Sequence, residues 1–538
     1  MLNLAHIHES IAAAMPEREA LVHRDRRFTW AQLTDRTRRL GDVLRRHGLG
    51  RHRDRAELEP WESGQDHVAL YLYNGNEYLE GMLGAFKACC APINVNYRYV
   101  DDELIYLFEN SDARAVVYHA AFAPTLARIR DRLPLVKLWL QVSDASGEAL
   151  LPGALDYEVA LAEAEPSPPK DLSADDAYIL YTGGTTGMPK GVLWRHEDVF
   201  RAALYTRPDR DFDAIMARAR LGGPRVLPAP PFMHGAAHWM AFNIWHVGGS
   251  VVVPSDPTRL DPADVWSTIE REKVTSLTIV GDAFGRPLAD ELRRGVHDAT
   301  SLDTLTTGGA ILTATLKQEF LDLLPGLKIV DSLGSSESGQ QASRVSTAER
   351  RASTGDFEMA ADNVVLRDNL KGLVEPGSGE RGWLARRGFL PLGYYKDSEK
   401  TAATFPVIDG VRYAVPGDRA ALESDGTLRL FGREAATINT GGEKVFAEEV
   451  EHALKQHPAV YDAVVVGMPH ERWGQQVTAV VRLREGTGPT PDELREAARQ
   501  HLAAYKLPRK FVFVEEIVRA PSGKADYRWA RERALAED

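Results

Sequence analysis

Short runs of apolar residues alternate along this chain with stretches that are apolar on one side only, and the alternation sets its architecture. From Val68 to His119 the runs VALYLY and AVVYH read as strands, and Tyr78 to Lys87 between them reads as an amphipathic helix. The same strand and helix rhythm returns between Thr275 and Val330. Repetition of this kind predicts an α/β fold built in layers. Near Phe431 the rhythm changes. Ala447 to Gln456 predicts a helix, and Ala463 to Val466 and Val477 to Leu483 predict strands. Thr490-Pro491-Asp492-Glu493 opens a further helix, with Thr as cap, Pro at the first helical position and Glu closing a capping box. A smaller domain is therefore expected at the C-terminal end. Two polar inserts, Arg51 to Gly64 and Arg207 to Pro224, read as solvated surface loops.

At 538 residues the chain has room for about three units of ordinary domain size. With 44% hydrophobic and 26% charged residues it has the composition of a globular enzyme rather than of a disordered chain. Its net charge of -12 argues against nucleic acid as a partner, since that binding requires a basic face. The first residues, MLNLAHIHES, lack the basic start of a secretory signal, so a cytoplasmic location is expected. The most apolar region, Trp239 to Pro254, contains Asn243 and His246 and falls short of the ~18 to 20 apolar residues of a membrane span. The two cysteines, Cys89 and Cys90, are adjacent and read as a reduced, buried pair. No cysteine and histidine spacing suggests zinc.

Candidate chemistry concentrates in Tyr181 to Gly191, YTGGTTGMPKG, which gathers glycines, the threonines Thr182, Thr185 and Thr186, and Lys190. Glycines let backbone N–H groups approach an anion closely, hydroxyls add neutral donors, and the lysine adds charge, so the segment reads as a polyphosphate cradle. It is not a Walker loop, because it lacks the G-K-S/T ending that opens a helix. AYILY before it and GVLW after it both read as strands, which predicts that the loop joins two strands. Four further segments bear on nucleotide chemistry: DSLGSSESG at 331–339, VPGD at 415–418, LFGR at 430–433 and PSGK at 521–524.

In this order and spacing the segments resemble the adenylate-forming superfamily of acyl-CoA synthetases, nonribosomal adenylation domains and firefly luciferases, over nearly the whole chain. The resemblance implies residues 1–432 as an N-terminal adenylation region of layered α/β subdomains with a small β-barrel part. It implies 433–538 as a small mobile α+β domain. ATP, Mg²⁺ and CoA are the implied cofactor and co-substrates, with a carboxylic acid as the remaining partner, and a homodimer is left open. By motif register, Thr182, Gly183, Gly184, Thr185, Thr186, Gly187 and Lys190 hold phosphates, and Thr182 and Glu337 place Mg²⁺. Gly308, Gly309 and Ala310 lie beside adenine and acyl group. The turn Asp331, Ser332, Leu333, Gly334, Ser335 and Ser336 also contacts the nucleotide; Leu333 stands where many relatives carry an aromatic ring. Asp418 binds ribose, with Arg433 nearby. Lys524 is the implied catalytic lysine of adenylation. Ala435 takes the hinge position, where most relatives have Asp or Lys, and Gly441, Gly442 and Glu443 serve CoA.

His234 in PFMHG matches the position beside the substrate carboxylate, and the absence of an Asp there argues against an α-amino acid. Trp239, Phe242 and Trp245 follow at spacings that fit either an acyl tunnel or a core, with the core as default. The wording of TGGTTGMPKGVLWRHED, TIVGDAF and INTGGEKVF is most similar to fatty-acid and steroid side-chain CoA ligases, which implies a long or bulky aliphatic acid. Loading of a carrier protein, luciferase-type oxidation and silent nucleotide binding are the competing readings. The presence of both Lys524 and Glu337 speaks against the last.

Overall fold

The computed structural model describes residues 1–536 apart from 185–186, 206, 351–353 and 441–442. The strand and helix rhythm at 68–119 becomes a parallel sheet of five strands in the order Ala91–Asn94, His67–Tyr71, Ala113–His119, Leu138–Val142 and Leu155–Asp156. Asn76–Lys87 is indeed helical, but every one of its residues is buried. Its polar groups are met inside: the Lys87 ammonium reaches Glu9 at 2.6 Å, and Glu80 accepts from Arg36 at 2.7 Å. The helix is thus buried on both sides rather than half-exposed, as its one-sided pattern predicted.

The second rhythm, at 275–330, supplies the central strands of the largest sheet. Glu19–His23, Ser250–Val253, Arg225–Pro228, Ser276–Ile279, Thr304–Gly308 and Lys328–Ser335 run parallel in that order. The sheet then turns antiparallel through Gly339–Ser346, Asp356–Met359 and Leu428–Arg433 into Asp418–Leu422 and Gly382–Arg387, where the small β-rich part is expected. On the parallel strands Leu277, Ile279, Leu305 and Ile329 enter one core, whereas Ser276, Thr278, Thr304 and Thr306 line an open cleft on the other face. Of the two polar inserts, 51–64 has no buried residue. The second is not a loop throughout: Phe212–Leu221 is a helix capped by Asp211, with Ile215, Met216 and Ala219 buried. Their spacing is helical, and the Phe212 ring stacks on His6 at 5.2 Å.

The C-terminal strands Glu443–Phe446, Thr437–Thr440, Gly474–Leu483, Val460–His470 and Lys510–Phe513 form their own sheet over two small cores. The Thr490 capping box is present, with the Glu493 amide donating to Thr490 Oγ1 at 3.3 Å and the Thr490 amide to Glu493 Oε2 at 2.7 Å. Cys89 and Cys90 are free and buried. Among the described residues no helix is long and apolar enough to cross a membrane.

Candidate active site

A cleft of about 2330 Å³ runs along the hydroxyl-bearing face of the large sheet and up to the C-terminal strands. The glycine and threonine segment reaches it as the turn of a hairpin between Ala177–Gly184 and Gly187–Arg195. Thr185 and Thr186 lie outside the described residues; Thr182 and Gly183 line the cleft, and Gly184 and Gly187 pair across the turn. Gly191 is required for packing, because a Cβ there would stand 2.7 Å from the Tyr181 ring. Lys190, opposite Thr182 in the ladder, gives its ammonium to Asp397, the cap of helix Ser398–Thr404. Its charge is therefore shared with a carboxylate.

Two asparagines that the sequence reading passed over hold the loop before His234, and Asn94 also ties it to the hairpin. Asn94 accepts from the Tyr181 amide at 2.7 Å and donates to the carbonyls of Tyr181 and Met233, both at 2.8 Å. Asn74 accepts from the Phe232 amide at 2.6 Å and donates to the Pro230 carbonyl at 3.0 Å. His234 is thereby held at the cap of helix Gly235–Trp245, and its Nε2 is buried with no hydrogen-bond partner. Burial first, then the Lys524 charge, pulls its pKa down to about 3, so the ring is neutral. Of the three aromatics that follow, Trp239 lines the cleft and gives its Nε1–H to Tyr178 at 2.7 Å, while Phe242 and Trp245 are core.

Gly308, Gly309 and Ala310 end a parallel strand and line the cleft. Gly309 has φ +81, and a Cβ built there would meet Lys524 Cε at 3.6 Å, so the C-terminal lysine lies directly over this turn. Asp331, Ser332, Leu333, Gly334, Ser335 and Ser336 also line the cleft. The Asp331 carboxylate is occupied by Lys317 at 2.7 Å, and Leu333 rests on a small apolar cluster. The turn itself is pinned from behind: Trp194 Nε1 donates to the Ser336 carbonyl at 3.0 Å, and the buried Arg386 donates to that of Ser338 at 2.6 Å. Glu337 accepts from the Tyr394 hydroxyl at 2.9 Å.

Asp418 and Arg433 sit opposite each other in one strand pair, with Arg433 Nε 3.4 Å from Asp418 Oδ1. Burial raises the Asp418 pKa, and Arg433 opposes the rise. Lys524 arrives from the C-terminal lobe. Its side chain is exposed to the cleft, and the protein crowded around it, followed by the Arg433 charge, lowers its pKa against the pull of Glu337, Asp418 and Glu448. One cavity is thus lined by Thr182, His234, Gly309, Asp418, Arg433 and Lys524; Glu337, in the turn after Ser336, is not part of its lining, but its charge acts on Lys524 together with those of Asp418 and Arg433. Glu443 is exposed and does not line it, Gly441 and Gly442 lie outside the described residues, and Ala435 falls in a short turn, Glu434–Ala436, just past Arg433.

No cluster of three or more His, Cys, Asp or Glu suited to a metal occurs among the described residues. The Thr182 hydroxyl on the cleft wall and one carboxylate, Glu337, whose charge acts on Lys524 in the cleft, fit a hard cation whose other ligands are phosphate oxygens and water, which is the habit of Mg²⁺.

The AMP-binding enzyme family matches residues 8–395, and the AMP-binding enzyme C-terminal domain matches 449–524. The chain is 50% identical over 535 residues to the medium-chain acyl-CoA ligase Mig of Mycobacterium avium, covering 98% of this chain and 97% of that protein. It is 42% identical over 547 residues to the 3-oxocholest-4-en-26-oate–CoA ligase of Rhodococcus rhodochrous, covering 99% and 96%. Among solved structures, the anthranilate CoA ligase AuaEII in complex with anthranoyl-AMP shares the fold, at a TM-score of 0.82 and 23% identity over 99% of this chain and 98% of that one. A fatty acyl CoA synthetase of Mycobacterium tuberculosis aligns at a TM-score of 0.72 and 25% identity, over 100% and 99%.

Proposed function

The chain belongs to the AMP-binding enzyme family, and on that premise we propose that it is an ATP-dependent acyl-CoA synthetase that forms acyl-AMP and passes the acyl group to CoA. Its acid is a medium or long aliphatic chain or a bulky one such as a steroid side chain, the substrates named for its relatives. The observation that carries the reading is Lys524 lying over Gly309, in one cleft with Asp418 and Arg433 and under the charge of Glu337.

A carboxylate is too electron-rich to be attacked by a thiol at neutral pH. In the first half-reaction its oxygen bonds to the α-phosphorus of ATP, and the bond to pyrophosphate breaks. Thr182 and the hairpin hold the β and γ phosphates, Asp418 accepts from the ribose hydroxyls, and Arg433 adds a charged contact. Lys524 faces the carboxylate and α-phosphate oxygens, where negative charge shifts. Mg²⁺ held by Glu337 and Thr182 would offset phosphate charge. Neutral His234 stands beside the carboxylate without adding a proton or a charge. In the second half-reaction the CoA sulfur bonds to the acyl carbon and AMP leaves.

We read 1–432 as the adenylation domain and 433–538 as a mobile domain turning about Ala435, which would bring Glu443 and its two neighbouring glycines to the cleft for the second step. Trp239, Met240, Asn243 and Ile244 line the same cleft as Ser276, Thr278 and Thr306, and we read this part of it as the channel for the acyl chain. Pyrophosphate release across a panel of fatty, steroid, aromatic and amino acids, with and without CoA, tests the reading. Release that depends on an aliphatic acid, with acyl-CoA as product, supports it; no ATP consumption with any acid sinks it.

A further inference from the structure

A second cavity, of about 350 Å³, lies at the seam between the lobes. Ala520, Pro521 and Gly523, next to Lys524, line it as well as the main cleft. Its walls carry five arginines, and two have partners: Arg519 pairs with Asp462 at 2.7 Å, and Arg259 with Asp256 and Asp261 at 3.4 and 3.8 Å. Of the other carboxylates, Asp282 accepts from the Thr313 amide through Oδ1 at 2.8 Å, while its buried Oδ2 makes no hydrogen bond and lies 3.9 Å from Lys455, and Glu516 is exposed. Arg98, Arg286 and Arg482 have no carboxylate partner among the described residues.

Arg286 is the telling one. It is 4% exposed, its Nε has no hydrogen-bond partner, and its guanidinium lies 5.6 Å from the Tyr461 ring centroid. Arg482 and Arg484 lie over the same ring at 4.3 and 5.8 Å. Arg286 belongs to helix Gly281–Leu292 of the large lobe; Arg482 lies in strand Gly474–Leu483 of the small lobe, opposite Asp462, and Arg484 follows that strand. Three cations around one tyrosine repel each other, and a guanidinium withdrawn from water without a partner is costly. Stacking on the ring offsets only part of that cost.

We propose that this seam binds a phosphate-bearing anion, bridging Arg286 of the large lobe and Arg482 of the small lobe. The planar guanidinium fork suits phosphate oxygens, and the cavity is large enough for one or two phosphoryl groups. An anion held by both lobes favours the arrangement in which Lys524 reaches the cleft and has to leave before the lobes separate. The proposed reaction offers two sources, pyrophosphate and the phosphates of CoA. The identity of the source rests on the ligase reading, but anion binding at the seam does not.

The test is equilibrium dialysis of the full chain with the main cleft filled by β,γ-methylene-ATP and magnesium. The probes are pyrophosphate, adenosine 3′,5′-bisphosphate and inorganic phosphate. Saturable binding of about one equivalent is expected, weakened at least tenfold in Arg286→Gln and in Arg482→Gln, but not in Arg472→Gln, an exposed arginine stacked on Trp473 elsewhere. Melting curves show whether each variant is folded. Retention of the bisphosphate names the CoA end as source, and retention of pyrophosphate names the product. Binding of none of the three probes, or equal binding by wild type and both seam variants, overturns the proposal. Because the readout is binding, its failure leaves the pyrophosphate-release test of the ligase reading untouched.

Discussion

Lys524→Ala should cost about 10² to 10³ in the rate of acyl-adenylate formation, or about 2.7 to 4 kcal/mol of barrier. Around the Lys524 ammonium stand the carboxylates of Glu337, Asp418 and Glu448, with Arg433 as the other cation in its surroundings. Alanine leaves Arg433 facing all three acids while a further negative charge shifts onto the α-phosphate oxygens. The side chain opens onto the cleft, so its ground-state contribution to the fold is small and the loss should fall on the barrier. The melting temperature should therefore stay within a few degrees of wild type. His234 should remain neutral, because burial outweighs the lysine as the cause of its lowered pKa. The assay is single-turnover pyrophosphate release with acid and ATP, run beside thioester formation from supplied acyl adenylate and CoA. The first rate should fall and the second survive. Equal loss of both would refute the assigned role, since a group that serves only adenylation cannot slow a step that starts after it.

Ala435→Pro should slow thioester transfer more than adenylation, because proline fixes the φ that a pivot has to change; equal loss of the two rates counts against a hinge there. Asn94→Ala removes one acceptor and two donor bonds that tie the hairpin to the His234 loop. It should lower the melting temperature, at about 1 kcal/mol per bond lost, and raise the KM for ATP; an unchanged KM would show that the tie does not position the hairpin. Trp239→Ala should widen the acyl channel and shift the preferred acid to longer or bulkier ones in a competition assay, and an unchanged chain-length profile would place Trp239 outside it. Buried His196, His238 and His246 have pKa values lowered to about 3, 4 and 4, all chiefly by burial. The unfolded chain therefore binds more protons than the folded one as pH falls below 6.5, and each histidine subtracts up to about 1.4 kcal/mol of stability per pH unit down to its folded value. Thermal melting should drop steeply from pH 6.5 to 4.5; a flat profile would mean that these rings are not held neutral.

The hairpin under the threonine segment was legible in the sequence because Tyr181 and Gly191 lie ten residues apart, and a turn between two apolar runs leaves few alternatives. The Thr490 cap was legible for the same reason, its partner Glu493 being one helical turn away. Other features hid in distant partners. Tyr78 to Lys87 carries the text of a half-exposed helix, yet it is buried, because Glu9 and Arg36 come from elsewhere in the chain to satisfy Lys87 and Glu80. The polar text of 207–224 concealed a helix whose three buried residues were readable only by spacing. Asn94 and Asn74 gave no sign of their roles, since a lone asparagine near a strand end is common and only the loops it joins distinguish it.

By itself the amino-acid text determined the local elements and the inventory of chemistry: a cradle of glycines and hydroxyls, an acid after a serine-rich turn, a lysine near the end of the chain. Local conformation depends on neighbours within a few residues, and these are written side by side. Tertiary structure alone decided that Lys524 lies over Gly309 and shares a cleft with Asp418 and Arg433, that Lys190 is paired with Asp397, and that Arg286 is left without a partner at the lobe seam. Such meetings depend on how whole layers pack and on which charges burial brings together, and no short stretch of sequence contains that information.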